Sequence, residues 1–175
     1  MDYDQLLRKK RKKLIAEPEN LPVRFSYGKG DIEKIVPHRD PFLLVDRLTG
    51  LDPEEKIIAG ETFIDPELPL FKGHFPDFPV YPGCMQIEMT GQLGLCMNYF
   101  LTSNEREITG TPEVQPIRAT RVVGAYYLQP VLPGKTVRIV AQLLEHDGYF
   151  GKIIGQIINE DGQVACVSIS EVCFL

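Results

Sequence analysis

Two side chains suited to proton transfer, His74 and Glu88, lie near the middle of the sequence. His74 belongs to a segment, residues 71–83, that contains three prolines and two glycines. So many prolines and glycines disfavour a helix or a central strand, and we interpret the segment as an ordered loop. A histidine in a rigid loop keeps one position relative to a bound substrate, which is what a general base requires.

The loop leads through Pro82 into a long apolar segment, residues 83–104, which predicts a helix. Glu88 is the only charged residue of this segment, so we expect the helix to be buried on nearly every side. A helix that begins at Gly83 leaves its first backbone N–H groups unpaired at the positive end of the helix dipole. These groups are a candidate site for a developing oxyanion.

A carboxylate buried on such a helix is costly as an anion and tends to keep its proton. A neutral Glu88 is therefore suited to act as a general acid, beside a neutral His74 that acts as the base. Gln92 lies one helical turn beyond Glu88, where it either bonds the Glu88 carboxyl or faces a neighbouring strand. The sequence predicts a site with one base, one acid and one N–H donor.

Strand-like segments lie on both sides of the predicted helix in the sequence. They are residues 42–45, 56–64, 117–127, 135–145, 149–159 and 163–174. Turn signals at Asp147-Gly148 and Asp161-Gly162 separate the last three and indicate an antiparallel meander. A transmembrane interpretation of the helix is disfavoured, because Glu88 is charged and several neighbours are polar. We predict an α+β fold in which a sheet wraps one core helix.

The first 30 residues are predicted to form a helical extension and a linker ahead of a single domain, residues 31–175. Helix formers dominate residues 1–16, and prolines and turn residues follow them. A short helical turn capped by Asp31 is expected to open the domain. A domain of this length can bury a core of its own.

The net charge of −5 conceals an uneven distribution, because residues 8–13 are all basic. This basic run is either a solvated helix face or a contact for RNA, an anionic membrane or an acidic protein. The rest of the chain is acidic, so we expect it to bind no nucleic acid. The charge pattern therefore confines any binding of polyanions to the N-terminal extension.

The four cysteines and three histidines do not have the spacing of a zinc site. The basic run is not followed by the apolar stretch of a secretory signal. We therefore expect a reduced, cytoplasmic protein with no metal, no cofactor and no membrane insertion.

Several motifs carry a resemblance to a known family. They are an early signature at residues 36–47, the loop of residues 73–83, Glu88 followed by Gln92, and a weaker turn motif at residues 129–134. On these residues the sequence resembles the FabZ-type 3-hydroxyacyl-(acyl carrier protein) dehydratases of fatty acid biosynthesis. The resemblance covers about residues 31–175.

The resemblance implies a hot-dog fold, a long central helix wrapped by a strongly curved antiparallel sheet. It also implies a homodimer with two shared active sites, in some cases assembled into a hexamer as a trimer of dimers. The partner is acyl carrier protein loaded with a 3-hydroxyacyl chain. Because such carriers are strongly acidic, we predict that residues 8–13 contribute to a basic docking patch.

The resemblance also assigns roles to residues. His74 takes the C2 proton, and Glu88 of the partner subunit protonates the leaving 3-hydroxyl, which gives a trans-2-enoyl thioester. The backbone N–H of Gly83 holds the thioester oxygen. A cis peptide is expected between His74 and Phe75, and Phe75 and Gln92 are candidates for supporting roles.

Other functions stay open on the sequence alone. A hot-dog thioesterase would use a carboxylate to activate water and would not need the His74 loop. A non-catalytic subunit on the same fold would bind the acyl carrier without turnover. Related enzymes that also isomerise the product carry aspartate where this chain has Glu88, so dehydration alone is favoured. His38 is interpreted as mostly structural.

Overall fold

The helices and strands follow one another along nearly the whole chain. The structure, a computed structural model, describes residues 1–110 and 112–175. The helices are α1 (Tyr3–Lys10), α2 (Lys29–Ile32) and α3 (Gly83–Ser103), with 3₁₀ turns at Pro18–Asn20 and Pro69–Lys72. The strands are β1 (Val23–Gly28), β2 (Arg47–Asp52), β3 (Ile57–Phe63), β4 (Ile117–Tyr127), β5 (Thr136–His146), β6 (Phe150–Ile158) and β7 (Val164–Phe174).

Within the described residues the strands form one antiparallel sheet in the order β1-β2-β3-β5-β6-β7-β4. Strands β5, β6 and β7 form the predicted meander. Their connecting turns place Gly148 and Gly162 at φ values of 95° and 77°, a region that glycine adopts without the strain a β-carbon causes. The sheet is open, with β1 and β4 at its edges.

Helix α3 packs along one face of this sheet, against β3, β5, β6 and β7. Met89, Leu93 and Met97 are among the residues that it buries there. The two layers are in close contact, since a β-carbon built on Gly155 of β6 would lie 2.3 Å from the β-carbon of Thr90. A long helix laid on an antiparallel sheet is the architecture that the resemblance implies, and the α+β hot-dog prediction is confirmed.

The N-terminal helix α1 covers the opposite face of the sheet. Successive strand residues point to opposite faces, so Ile153 of β6 joins the cluster under α3 while Ile154 packs with Leu7 of α1. Leu7 is only 2% exposed. The extension is therefore part of the folded body, and its helix ends at Lys10, earlier than predicted. Among the described helices, none is long and apolar enough to span a bilayer.

Residues 42–45 do not form the predicted strand, although Leu44 is buried. Two of their N–H groups donate to Arg39 O, and three further backbone groups bond to side chains, instead of pairing with a neighbouring strand. The Gln92 side chain accepts from Leu44 N at 2.8 Å and donates to Phe42 O at 2.8 Å. The Thr62 hydroxyl donates to Leu44 O at 2.7 Å. An apolar run can thus cross the core as an irregular segment, because the Gln92 and Thr62 side chains form hydrogen bonds with its backbone groups.

Strand β1 lies in the stretch that the sequence analysis interprets as linker. Its residues alternate between partly buried and exposed, as in a strand with one face on the core. Strand β2 was not predicted either, since Gly50 and Asp52 are residues that disfavour strands. Pairing of β2 with both β1 and β3 overrides that weak preference. The division of the chain at residue 30 stays a prediction.

Helix α2 begins before the position predicted for it. Gly28 is its N-cap, so the predicted cap, Asp31, is wrong. The Asp31 carboxylate instead pairs with Lys34 at 2.7 Å. Glycine at the N-cap costs little relative to a polar cap, which is why the start was not evident from the sequence.

Candidate active site

The loop that carries His74 is fixed at both ends by backbone hydrogen bonds. His74 N donates to Leu70 O at 2.9 Å, just after the 3₁₀ turn, and Tyr81 N donates to Val131 O at 2.7 Å. Val131 belongs to the turn motif of residues 129–134, and Gly134 N of that turn donates to Ile64 O at 2.7 Å. The weak fourth motif therefore has a structural role, because it anchors the His74 loop to the end of β3.

The imidazole of His74 is oriented by the loop itself. Its Nδ1 lies 2.9 Å from Val80 O. A carbonyl oxygen can only accept, so Nδ1 carries the proton and Nε2 keeps its lone pair in the neutral ring. The peptide bond between His74 and Phe75 is cis, as expected, and the two rings stack at a centroid distance of 4.2 Å. His74 thus has one nitrogen free to act as a base.

Helix α3 begins at Gly83, next to the ring of Tyr127 at the end of β4. A β-carbon on Gly83 would lie 2.5 Å from Cε1 of Tyr127, so a larger residue fits here only if this ring moves. The N-cap is Pro82, whose side chain makes no capping bond. In the described residues the N–H of Gly83 has no hydrogen-bond partner. This donor is therefore free to bind an oxygen, as the sequence predicts.

The carboxyl of Glu88 accepts a hydrogen bond from one side chain and lies close to a second. Gln92 Nε2 donates to Glu88 Oε1 at 2.9 Å, and His38 Nε2 lies 3.5 Å from the same oxygen. Of the two alternatives left open for Gln92, the bond to the Glu88 carboxyl is the one observed, and Gln92 also bonds the irregular segment of residues 42–44. The Glu88 side chain is 34% exposed in this single chain, less buried than predicted.

His38 is the residue of this group that the sequence analysis treated as mostly structural. Burial lowers the pKa of His38, the Glu88 carboxylate opposes that effect, and Arg39 adds to it. The ring is thus mainly neutral at neutral pH. Its Nδ1 is buried and has no hydrogen-bond partner among the described residues. Its place in the early signature motif was the only indication in the sequence that His38 belongs to the site. Its contact with Glu88 depends on packing between segments that are distant in the sequence.

The predicted residues divide between two cavities of the single chain. His74 and Gly83 line one of about 540 Å³, and Tyr127 forms part of its wall. Glu88 and Gln92 line another of about 360 Å³, between α3 and the edge strand β4. Both volumes fall in the range of ligand sites. One chain alone therefore does not bring the base and the acid into one cavity.

Comparisons with known proteins agree with this architecture. The family model described as a FabA-like domain matches residues 36–168. Among curated relatives, the 3-hydroxyacyl-(acyl carrier protein) dehydratase FabZ of Campylobacter concisus is 35% identical over 75% of this chain and 86% of its own length. The FabZ of Clostridium perfringens is 36% identical over 78% of this chain and 90% of its own length. The chain belongs to the FabA-like family and, within it, to the FabZ dehydratases.

Solved structures show the same fold at much lower identity. The dehydratase heterocomplex ApeI:P from Xenorhabdus doucetiae is 16% identical, with a TM-score of 0.58 over 82% of this chain and 90% of that chain. A thioesterase from Pseudomonas aeruginosa is 14% identical, with a TM-score of 0.57 over 94% of this chain and 98% of that chain. These neighbours support the hot-dog fold and do not by themselves distinguish dehydration from hydrolysis.

Proposed function

We propose that His74 and Glu88 remove water from a 3-hydroxyacyl chain carried as a thioester on acyl carrier protein. His74 Nε2 takes the C2 proton, and the electrons of the C–H bond form the C2–C3 double bond. The C3–O bond breaks as Glu88 gives its proton to the leaving hydroxyl, which departs as water. The product is a trans-2-enoyl thioester, and the proton on His74 then passes back to Glu88 before the next turnover.

One observation carries this proposal: the hydrogen bond between His74 Nδ1 and Val80 O. It fixes the tautomer in which Nε2 is the basic nitrogen, in the same cavity as the unpaired N–H of Gly83. A base and an oxyanion donor in one cavity suit removal of a proton next to a thioester carbonyl, because the N–H stabilises the enolate that forms. Loss of one such donor in other enzymes costs about 3–4 kcal/mol.

A second copy of the chain is proposed to complete the site. The cavity of Glu88 lies between α3 and the edge strand β4. An edge of 11 residues with unpaired backbone groups on one side is a template for pairing with another strand. Val122 of β4 and Phe42 beside it are 53% and 48% exposed. A homodimer through this surface would bury both and could place Glu88 of the partner subunit near His74, with a trimer of dimers as the larger assembly.

The relatives' names give a 3-hydroxyacyl chain on acyl carrier protein as their substrate. We assign the same substrate class to this chain. Fatty acid biosynthesis, the pathway that the resemblance implies, is the pathway we propose. The four cysteines are free thiols, which fits the reducing cytoplasm that the sequence analysis expects.

The test is to incubate the purified protein with a 3-hydroxyacyl thioester of acyl carrier protein and follow both enoyl product and free thiol. We expect enoyl product without thiol release, and a loss of about 100-fold or more in kcat for His74→Ala and for Glu88→Gln. Release of free thiol by the wild type would instead identify a thioesterase. Binding of the carrier with no turnover at any chain length would identify a non-catalytic subunit.

A further inference from the structure

The N-terminal basic run lies close to the His74 cavity in space, although about 60 residues separate them in the sequence. Arg11 and Lys12 line a groove of about 540 Å³ whose wall includes Leu128 and Gln129. Leu128 and Gln129 also line the cavity that contains His74. The groove therefore continues into the rim of the candidate active site.

The segment that carries these cations is fastened to the sheet. Gln156 of β6 is fully buried, and its side chain makes three hydrogen bonds to the backbone of this segment. Its Nε2 donates to Lys10 O at 2.6 Å and to Lys13 O at 3.0 Å, and its Oε1 accepts from Ile15 N at 2.7 Å. The charges of the groove thus have a defined position.

The cations of residues 8–13 have no internal counter-charge. None of them forms a salt bridge within the described residues. Burial lowers the pKa of Lys10, and the neighbouring positive charges of Lys13 and Lys9 lower it further. In a chain with a net charge of −5, such a cluster favours an anionic partner over a solvated role.

Arg11 and Lys12 present their charge at the groove in different ways. The Arg11 guanidinium lies 4.6 Å from the centroid of the Tyr126 ring, and its buried Nε has no partner among the described residues. Lys12 is exposed. The adjoining cavity carries Glu160 and Asp161, but Glu160 is paired with Lys135 at 2.9 Å. The groove is therefore net positive.

We propose that Arg11 and Lys12 form the docking site for the acidic face of acyl carrier protein at the mouth of the His74 cavity. The inference rests on the proposed function and specifies how the partner is held. A carrier whose tethered thioester reaches His74 must rest its protein surface on the rim of that cavity. The acidic surface of the carrier complements this groove and is repelled by the rest of the acidic chain.

The test compares two charge reversals of equal size. Lys12→Glu changes the groove, whereas Lys9→Glu makes the same change on α1 at an exposed residue that does not line it. Each is assayed at low salt with a 3-hydroxyacyl thioester on acyl carrier protein and with the same acyl chain on a small thiol such as N-acetylcysteamine. Point variants are preferable to deletion of residues 1–16, because deletion would remove the core residue Leu7.

We expect Lys12→Glu to raise KM for the carrier substrate about 10-fold with little change in kcat, and the effect to shrink at high salt. Lys9→Glu should change KM less than about 2-fold, and neither should alter turnover of the small thioester. Equal effects of the two variants, or an equal loss with the small thioester, would overturn the proposal. Cosedimentation with anionic phospholipid vesicles that both variants abolish would identify a membrane contact instead.

Failure of docking and failure of the proposed function give different results. If wild type dehydrates the small thioester but Lys12→Glu leaves KM for the carrier unchanged, the function stands and the docking site is wrong. If wild type dehydrates neither substrate, the proposed function fails. The docking site can then still be tested by measuring the affinity of labelled carrier for wild type and both variants by fluorescence anisotropy. Weaker binding by Lys12→Glu than by Lys9→Glu would support it, and equal binding would contradict it.

Discussion

At Gly83 the backbone and the ring of Tyr127 occupy adjoining space with no room for a methyl group. The ring is 55% exposed, so it can turn away if it is pushed, but it then moves within the cavity that contains His74. Burial raises the pKa of Tyr127, so its hydroxyl stays protonated at neutral pH. The identity of residue 83 therefore controls both the oxyanion donor and the cavity wall.

We predict that Gly83→Ala lowers kcat/KM about 10-fold or more, because the new β-carbon displaces Tyr127 and shifts the start of α3. Tyr127→Ala in the same chain should restore part of the activity by removing the ring that the methyl group meets. Steady-state kinetics of the two single variants and the double variant measure this coupling. Additive losses in the double variant would show that the two residues do not interact.

The Gln92 side chain links the Glu88 carboxyl to the backbone of residues 42–44. It is 1% exposed and bonds Glu88, Phe42 O and Leu44 N at once. We predict that Gln92→Leu lowers the free energy of unfolding by about 1–3 kcal/mol, because the buried Leu44 N and the partly buried Phe42 O lose their partners. It should also lower kcat for a small thioester substrate, because Glu88 loses its orienting bond.

Gln156→Leu is the matched control for this prediction, since it removes a buried glutamine far from Glu88. Urea denaturation should show a loss of stability for both variants, but kcat for the small thioester should fall only for Gln92→Leu. A normal kcat in folded Gln92→Leu would contradict the orienting role.

The residues of the candidate site could be predicted from the sequence, but their arrangement in space could be predicted only in part. A proline-rich loop before an apolar helix indicates where His74 and Gly83 lie, because local rigidity and helix ends are local properties. The contact of His38 with Glu88 joins segments 50 residues apart. It depends on how the chain packs, and no local pattern reports it.

The contact between α3 and β6 is set by glycines on both elements. Gly155 of β6 faces Thr90, and a β-carbon on Gly94 of the helix would lie 2.6 Å from Cδ1 of Ile153. The methyl end of Ile153 can move, whereas the β-carbon of Thr90 is fixed to the helix backbone. Gly155 is therefore the less tolerant of the two positions.

We predict that Gly155→Ala lowers the free energy of unfolding by about 1–3 kcal/mol through overpacking at the helix–sheet contact. Gly30→Ala, in α2 with nothing within 4 Å of the new β-carbon, is the control and should be neutral or slightly stabilising. Thermal unfolding of the two variants beside wild type makes the comparison. Equal stability of Gly155→Ala and wild type would show that α3 is free to move away from the sheet.

Long elements with a strong pattern were predicted within a residue or two of their bounds, as for α3 and for β4 to β7. Their alternation of residue types and their Asp-Gly turns are local signals. Strands β1 and β2 were missed because partners in the sheet, not intrinsic preference, make them strands. The strand predicted at residues 42–45 was wrong for the opposite reason. This apolar run bonds to side chains and so does not pair with a strand.

The whole molecule covers one face of its sheet with α3 and the other with its own N-terminal segment. In the described residues, that leaves the surface at the edge of β4, beside α3, without a partner strand. The Glu88 cavity opens on this surface, whereas His74 lies in the other cavity. A two-fold homodimer is the simplest assembly that covers the surface, since each chain would supply the same patch.

We propose that dehydration occurs at a site formed by His74 of one subunit and Glu88 of the partner subunit. Inactive His74→Ala and Glu88→Gln proteins can be mixed under conditions that exchange subunits, with each variant treated alone as the control. Random exchange makes about half of the dimers mixed, and each mixed dimer has one of its two sites intact. We predict that enoyl formation in the mixture recovers to about a quarter of the wild-type rate. A mixture that stays as inactive as its components, despite proven exchange, would contradict the shared site.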